Sequence, residues 1–186
     1  NIHVGSRHAG HTPQLQRCVF DTGSTNTWVS STMQKKDHAI EGEHLLFDPK
    51  DSDSFEVSSY QCSIAFGSGD LSGVFGWDDV WLNYLNQTRS AQSVHIKQQQ
   101  LGFIEASNVF DDHFDCIVGL AYKRMAAKDT VPILENMIQL EVLKRNVFSF
   151  YFTNGPQDED HGLQSKLVFG KIDTSDIVGD EADIKW

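Results

Sequence analysis

Cysteine is scarce in this 186-residue chain, which contains only three such residues, at positions 18, 62 and 116. An odd number of cysteines at wide spacing forms neither a zinc-binding pattern nor a complete disulfide framework. We therefore expect at least one free thiol. Whether Cys18 and Cys116 pair depends on their separation in space, which the sequence does not give.

Basic residues are also scarce. The chain has 15 Lys and Arg against 26 Asp and Glu, a formal net charge of −11, and the basic residues are scattered rather than clustered. Binding to phosphate backbones depends on clustered Lys and Arg, so nucleic acid is excluded as a partner. No apolar run approaches the length needed to cross a bilayer, and we predict no transmembrane segment.

Motifs for metals and nucleotides are incomplete. The acidic segment 48–56 resembles a calcium loop, but Pro49 follows its first aspartate and the glycine of the sharp turn is missing. Gly67, Gly69 and Gly73 do not form a dinucleotide fingerprint, because the third glycine is one residue late and the pattern that follows is a strand. We predict no metal and no cofactor.

The hydrophobic pattern favours strands. Hydrophobic residues make up 39% of the chain, with 12 Phe and 14 Gly, as is typical of a globular protein rich in strands and turns. We predict an all-β fold with one or two short helices, in one domain rather than two very small ones. The expected elements are a strand at 2–4, hairpins over 60–85 and 147–170, a buried strand at 114–120 and a helix over 132–144.

A motif that occurs once in the chain has residue types suited to catalysis: Cys18-Val19-Phe20-Asp21-Thr22-Gly23-Ser24. An apolar strand that ends on Asp, followed by a small hydroxyl residue and Gly, can hold a carboxylate rigidly where a strand enters a turn. Proteases that activate water between two aspartates use such an arrangement. Two close carboxylates share one proton, so one acts as base and the other as acid, roles that one aspartate cannot divide.

Five segments in a fixed order extend this motif over nearly the whole chain. They are Phe20–Ser24 with Trp28-Val29, Phe47-Asp48-Pro49 with Ser54-Phe55, Phe66–Gly69 with Leu71–Gly73, Phe114–Tyr122, and Leu167–Asp173. Together they resemble the amino-terminal lobe of pepsin-like aspartic proteases. The resemblance implies an acid-protease lobe with a closed, orthogonal, barrel-like sheet and a flap hairpin.

The resemblance also implies site residues around the motif. Asp21 would be a catalytic carboxylate, with Thr22 and Ser24 able to orient it through their hydroxyls. Gly23 and Gly119 would let two backbone segments approach closely. The remaining support is Trp28, on the strand behind the loop.

A flap and a pocket follow from the same resemblance. The flap would contact an extended polypeptide substrate through a glycine-tipped turn at Gly67 and Ser68, excluding water from the cleft. The apolar pocket beside the scissile bond would be lined by Val19, Phe66, Phe110, Phe114 and Ile117, although plain core packing is nearly as good an interpretation of each.

The chain departs from the family pattern at several points. Phe66 stands where the family usually carries Tyr, so no hydroxyl is available to bond the indole of Trp28. Cys116 replaces a small Gly. No second Asp-Thr-Gly or Asp-Ser-Gly is present. The chain also begins at Asn1 without a Met, and we expect residues 1–186 to be an amino-terminal lobe whose partner, a carboxy-terminal lobe, carries the second aspartate.

Three functional hypotheses remain open. The first is an aspartic endopeptidase of the secretory pathway, an acidic vesicle or the extracellular space. The second is a catalytically inactive homologue that binds peptides or proteins along its cleft. The third is a homodimer in which two copies of Asp21 meet across a two-fold axis, as in retroviral proteases.

Overall fold

The structure is a computed structural model. It describes residues 1–6, 10, 12–34, 43–66, 69–85, 91–109, 113–127, 129–153, 165–174 and 179–185, with the backbone alone at 66, 84, 85 and 91. The chain divides into two compact units, Asn1–Leu140 and Glu141–Trp186.

The described residues of the first unit form eight strands. They are β1 (Ile2–Val4), β2 (Gln14–Gln16), β3 (Cys18–Asp21), β4 (Trp28–Ser30), β5 (Glu56–Phe66), β6 (Gly69–Leu85), β7 (Ala91–Ser107) and β8 (Cys116–Gly119). Its described residues also form two 3₁₀ turns, Pro49–Asp51 and Lys123–Met125, and helix α1 (Ile133–Gln139). Mostly strand with a short helix, the described chain confirms the all-β prediction. None of its helices has the length and apolar character that crossing a membrane requires.

The eight strands form one sheet in the order β2-β1-β6-β7-β4-β8-β3, with β5 paired to β6. Among the described residues this order is a path with two ends, and no closed barrel is found. The two end strands, β2 and β3, follow one another in the chain and are separated only by Arg17. The Arg17 amide donates to a carboxylate oxygen of Asp115 at 3.1 Å, which marks the break between the two strands.

Strand β8 lies between β3 and β4. It pairs with β3 in parallel and with β4 in antiparallel register. The loop after Asp21 joins β3 to β4, so β8 passes between the two strands that flank this loop. All four β8 residues are buried, which confirms the predicted buried strand.

The core of the first unit surrounds Trp28. This buried side chain packs with Leu71, Phe75, Ile104 and Ile117, and its ring lies 5.0 Å from that of Phe75. A Cβ added at Gly102 would lie 2.7 Å from Cδ2 of the indole and closer still to Cε3. Only glycine therefore leaves room for the Trp28 ring against β7.

The predicted hairpin over 60–85 is confirmed, because β5 and β6 pair in antiparallel register up to Phe66 and Gly69. The helix predicted over 132–144 is shorter than expected and ends at Gln139. Glu141 has φ of 55°, a left-handed conformation that a right-handed helix cannot continue. The apolar pattern beyond that residue is therefore not helical.

The second unit contains an antiparallel pair, β9 (Phe148–Tyr151) and β10 (Lys166–Phe169), which confirms the second predicted hairpin. Near its end, Asp180 caps a 3₁₀ turn over Glu181–Asp183 by accepting a hydrogen bond from the Ala182 amide at 2.7 Å.

Candidate active site

Asp21 is the last residue of β3 and lies in register with Gly119 of β8. Its side chain is partly exposed. The Gly23 amide donates a hydrogen bond to Asp21 Oδ1 at 2.8 Å. This hydrogen bond from a backbone amide two residues later restricts the rotamers of the carboxylate at the strand end.

The backbone around Asp21 is fixed by β8. The Leu120 amide donates to the Asp21 carbonyl at 2.8 Å, and the Ala121 amide donates to the Ser24 carbonyl at 2.9 Å. A Cβ added at Gly119 would lie 2.6 Å from the carbonyl oxygen and 2.7 Å from the Cα of Thr25. The close approach predicted at Gly119 is therefore present, and it lets the segment around Thr25 rest directly on β8.

The two hydroxyl residues of the motif differ in environment. Thr22 is exposed. The Ser24 hydroxyl is buried and has no hydrogen-bond partner among the described residues. The contact that orients the carboxylate in this part of the chain is therefore the Gly23 amide rather than a Ser24 hydroxyl.

Of the predicted pocket residues, three have described side chains. Val19 is 44% exposed, whereas Ile117 is only 7% exposed and belongs to the Trp28 core cluster. Phe114 is partly buried and packs against the same cluster. Val19 and Asp21 are two positions apart on β3, so their side chains lie on the same face of the sheet. Ile117 is paired with Val19 in the neighbouring strand and shares that face.

The other predicted contacts cannot be placed. Gly67, Ser68 and Phe110 lie outside the described residues, and only the backbone of Phe66 is described. Their roles, including any hydrogen bond lost at Trp28 through the Phe66 substitution, stay predictions.

An ion pair at the start of β3 is not predicted by the sequence analysis. The Arg17 guanidinium donates to both carboxylate oxygens of the fully buried Asp115, at 2.7 and 2.8 Å. The amides of Arg17 and Leu45 donate to the same carboxylate at 3.1 and 2.9 Å, and His44 Nδ1 lies 3.2 Å from it.

These contacts decide the charge of Asp115. Burial opposes ionisation, but the hydrogen bonds from Arg17 and from the Leu45 and Arg17 amides, together with the Arg17 charge, outweigh it and lower the pKa of Asp115. The carboxylate therefore stays ionised in moderately acidic solution, and the ion pair persists there.

A disulfide links the next pair of residues. Cys18 and Cys116 are bonded, with their Cα atoms 4.5 Å apart, although they are 98 positions apart in the sequence. They are directly paired in the β3–β8 ladder. Cys62 is a free thiol, which confirms the expectation of at least one.

A buried polar contact supports the far side of the loop. Asn26 donates to the Thr130 hydroxyl at 2.8 Å and accepts from the Ala127 amide at 2.8 Å. Sequence reasoning missed Asn26, although a polar residue between Ser24 and the buried Trp28 is a signal that could have identified it. Within the described ranges, no three His, Cys, Asp or Glu side chains are grouped so that they could hold a metal ion.

Comparison with known proteins identifies the family to which the chain is related. The family model described as eukaryotic aspartyl protease matches residues 3–185. The chain is 31% identical to pepsin II-2/3 of Oryctolagus cuniculus over 177 residues, which cover 95% of this chain and 42% of that protein. It is 31% identical to embryonic pepsinogen of Gallus gallus, covering 99% of this chain and 44% of that protein. It is 34% identical to gastricsin of Oryctolagus cuniculus, covering 87% and 39%.

The matched part is less than half the length of each of these relatives. It nevertheless includes the whole Asp21 motif and the β8 segment that packs against it. The chain belongs to the eukaryotic aspartyl protease family.

Proposed function

We propose that this chain supplies one half of the catalytic site of an aspartic endopeptidase, with Asp21 as one of the two carboxylates. The observation that carries the proposal is the placement of Asp21 at the end of β3, with its Oδ1 held at 2.8 Å by the Gly23 amide and its backbone carbonyl held by Leu120. A water molecule can approach the carboxylate because its side chain is partly exposed.

The second aspartate would come from a carboxy-terminal lobe. Two carboxylates brought close together hold one proton between them, and they bind and polarise one water. In the proposed reaction that water attacks the peptide carbonyl while one carboxylate accepts its proton and the other stabilises the developing oxyanion by donating one. No covalent intermediate and no metal takes part.

The substrate would be an extended polypeptide with apolar side chains near the cut. Val19 supports this, because its exposed side chain shares the Asp21 face of the sheet. The β5–β6 hairpin is proposed as the flap, with Gly67 and Ser68 at its turn as the contacts to the substrate backbone. Since the three relatives reported above are named as a pepsin, an embryonic pepsinogen and a gastricsin, we propose a secretory or extracellular location.

The test uses the protein expressed from its complete coding sequence, assayed at acidic pH on an unfolded protein substrate. Asp21→Asn preserves the shape of the side chain and removes its charge, so hydrolysis should fall to background. Asp53→Asn, at an exposed turn residue, is the matched control and should leave activity unchanged. Pepstatin, an inhibitor of aspartic proteases, should bind the unmodified protein and abolish its activity.

Two results would refute the proposal. Hydrolysis that survives Asp21→Asn would place the chemistry elsewhere. Peptide binding without hydrolysis, unaffected by that substitution, would instead favour the binding-module hypothesis.

A further inference from the structure

We propose that the Cys18–Cys116 disulfide is a positioning crosslink for Asp21, and that it makes the site sensitive to reduction. The inference rests on the proposed function of Asp21 as a catalytic carboxylate. The disulfide joins the strand that ends on Asp21 to the strand that supports the loop after it.

Strand β3 pairs with β8 in the sheet. It is four residues long, it lies at one end of the strand order, and its only ladder partner among the described residues is β8. A four-residue parallel pair is weak by itself, because it has few ladder hydrogen bonds and parallel pairing is slightly less stable per residue. The position of Asp21 therefore depends on the β3–β8 contact.

Two consecutive crosslinks lie at the start of the β3–β8 pair, one just before the strands begin and one at their first residues. The bidentate Arg17–Asp115 ion pair comes first, and the Cys18–Cys116 bond follows one residue later. Asp21 lies three residues beyond the disulfide, at the other end of the strand. With Cys18 fixed covalently, the start of β3 cannot separate from β8, and the strand cannot slip in register, without breaking a bond.

The disulfide acts through the backbone alone. Side chains alternate between the two faces of a strand, so Cys18 and Phe20 are on one face and Val19 and Asp21 on the other. In the parallel ladder, Cys116 pairs with Cys18 and shares its face. The sulfur atoms are therefore on the face opposite the carboxylate and make no contact with a substrate there.

Reduction can reach the bond from one side. Cys116 is fully buried, whereas Cys18 is only partly buried. A dithiol reductant such as dithiothreitol would attack Cys18 Sγ as a thiolate, and Cys116 would leave and take up a proton. The second thiol of the reductant then displaces Cys18, so the dithiol becomes a cyclic disulfide and two electrons and two protons pass to the protein.

The experiment uses the full-length protein carrying Cys62→Ser, which removes the free thiol and leaves the disulfide as the reactive group in this chain. Amide hydrogen exchange is followed at Leu120 and Ala121, whose amides bind the Asp21 and Ser24 carbonyls. Reduction should accelerate exchange at these two amides by about tenfold or more. The Gly5 amide, bonded to the Asp79 carbonyl at 2.9 Å, is the internal control and should not change.

Peptidase kinetics on the same samples separate positioning from folding. Displacing a reacting group by about 1 Å can cost on the order of 100-fold in rate, so kcat should fall by about tenfold or more on reduction while KM changes less than about twofold. Re-oxidation should restore kcat. The double variant Cys18→Ser, Cys116→Ser in the same background should match the reduced protein and be insensitive to the dithiol.

The experiment distinguishes failure of the crosslink inference from failure of the proposed function. Unchanged exchange at Leu120 and Ala121 after complete reduction would overturn the inference, as would equal acceleration at Gly5, which indicates general loosening. If exchange changes locally but the oxidised protein never hydrolyses peptides, the crosslink is supported as a clamp on β3 and the proposed function fails.

Discussion

Gly119→Ala offers the most direct test of the backbone contact that supports the Asp21 loop. The added Cβ would lie 2.7 Å from the Thr25 Cα, about 0.8 Å closer than the roughly 3.5 Å at which two carbon atoms make a good contact. The atoms in its way belong to the backbone, which cannot rotate aside. The loop is also tied to β8 through the Ala121–Ser24 hydrogen bond.

From this geometry we expect a loss of about 3 kcal/mol in the free energy of unfolding, the upper part of the range for overpacked sites. Gly23→Ala is the matched comparison. Its Cβ would lie 3.2 Å from Asp21 Oδ1, an atom at the end of a side chain, and Gly23 does not have a positive φ. That substitution should cost less than about 1 kcal/mol, since it also restricts the unfolded chain.

The assay is urea unfolding followed by tryptophan fluorescence, with the buried Trp28 among the reporters. Peptidase activity is measured in parallel. Gly23→Ala should lower activity while leaving stability nearly intact, because its added carbon presses on the carboxylate. If Gly119→Ala unfolds within about 0.5 kcal/mol of the unmodified protein, the approach of β8 to Thr25 is not a fixed constraint and the reasoning is refuted.

Two further predictions concern buried carboxylates. Asp115→Asn should destabilise the protein by about 3 kcal/mol in urea unfolding, the low end for a broken buried pair, because Arg17 keeps access to solvent. Glu181→Gln, in an exposed ion pair, should change nothing measurable, and equal effects would refute the argument. Asp78 is buried, and that burial, partly offset by hydroxyl and amide hydrogen bonds, raises its pKa. Because the folded protein favours the protonated carboxyl, this contribution to the free energy of unfolding is complete below the unfolded pKa of about 4 and is lost as pH rises through the folded pKa. Asp78→Asn cannot ionise, so it should become more stable relative to the unmodified protein as pH rises from about 3 to about 7. A difference between the two proteins that is constant across this range would contradict the shift.

Local patterns predicted most of the elements of this chain. Strands β8, β9 and β10 and the β5–β6 hairpin each have apolar runs bounded by turn residues, and such runs identify strands without knowledge of distant partners. The predicted helix was too long because the apolar period continues past Glu141, whereas the backbone at that residue turns left-handed. Periodicity describes which face is apolar, but it does not describe where the backbone changes direction.

Strand β7 shows a second limit of predicting strands from the local sequence pattern. Gln98, Gln99 and Gln100 interrupt its apolar pattern, and no strand was predicted there. In the fold, Gln99 is fully buried and donates to the Gln100 and Val131 carbonyls at 2.8 and 2.9 Å. A polar residue can occupy a buried strand position when tertiary neighbours satisfy it, and one of these partners, Val131, is 32 positions away in the sequence.

The Asp21 motif and the identity of its supporting glycines were determined by the sequence alone, because a strand end followed by Thr22 and Gly23 is a local arrangement. Only the tertiary structure decided that Cys18 bonds Cys116 and that Arg17 pairs with Asp115. Each pair is separated by 98 positions, and proximity across such a distance depends on which strands lie beside each other in the sheet. The parallel β3–β8 ladder brings both pairs together, and no pattern within either segment specifies that pairing.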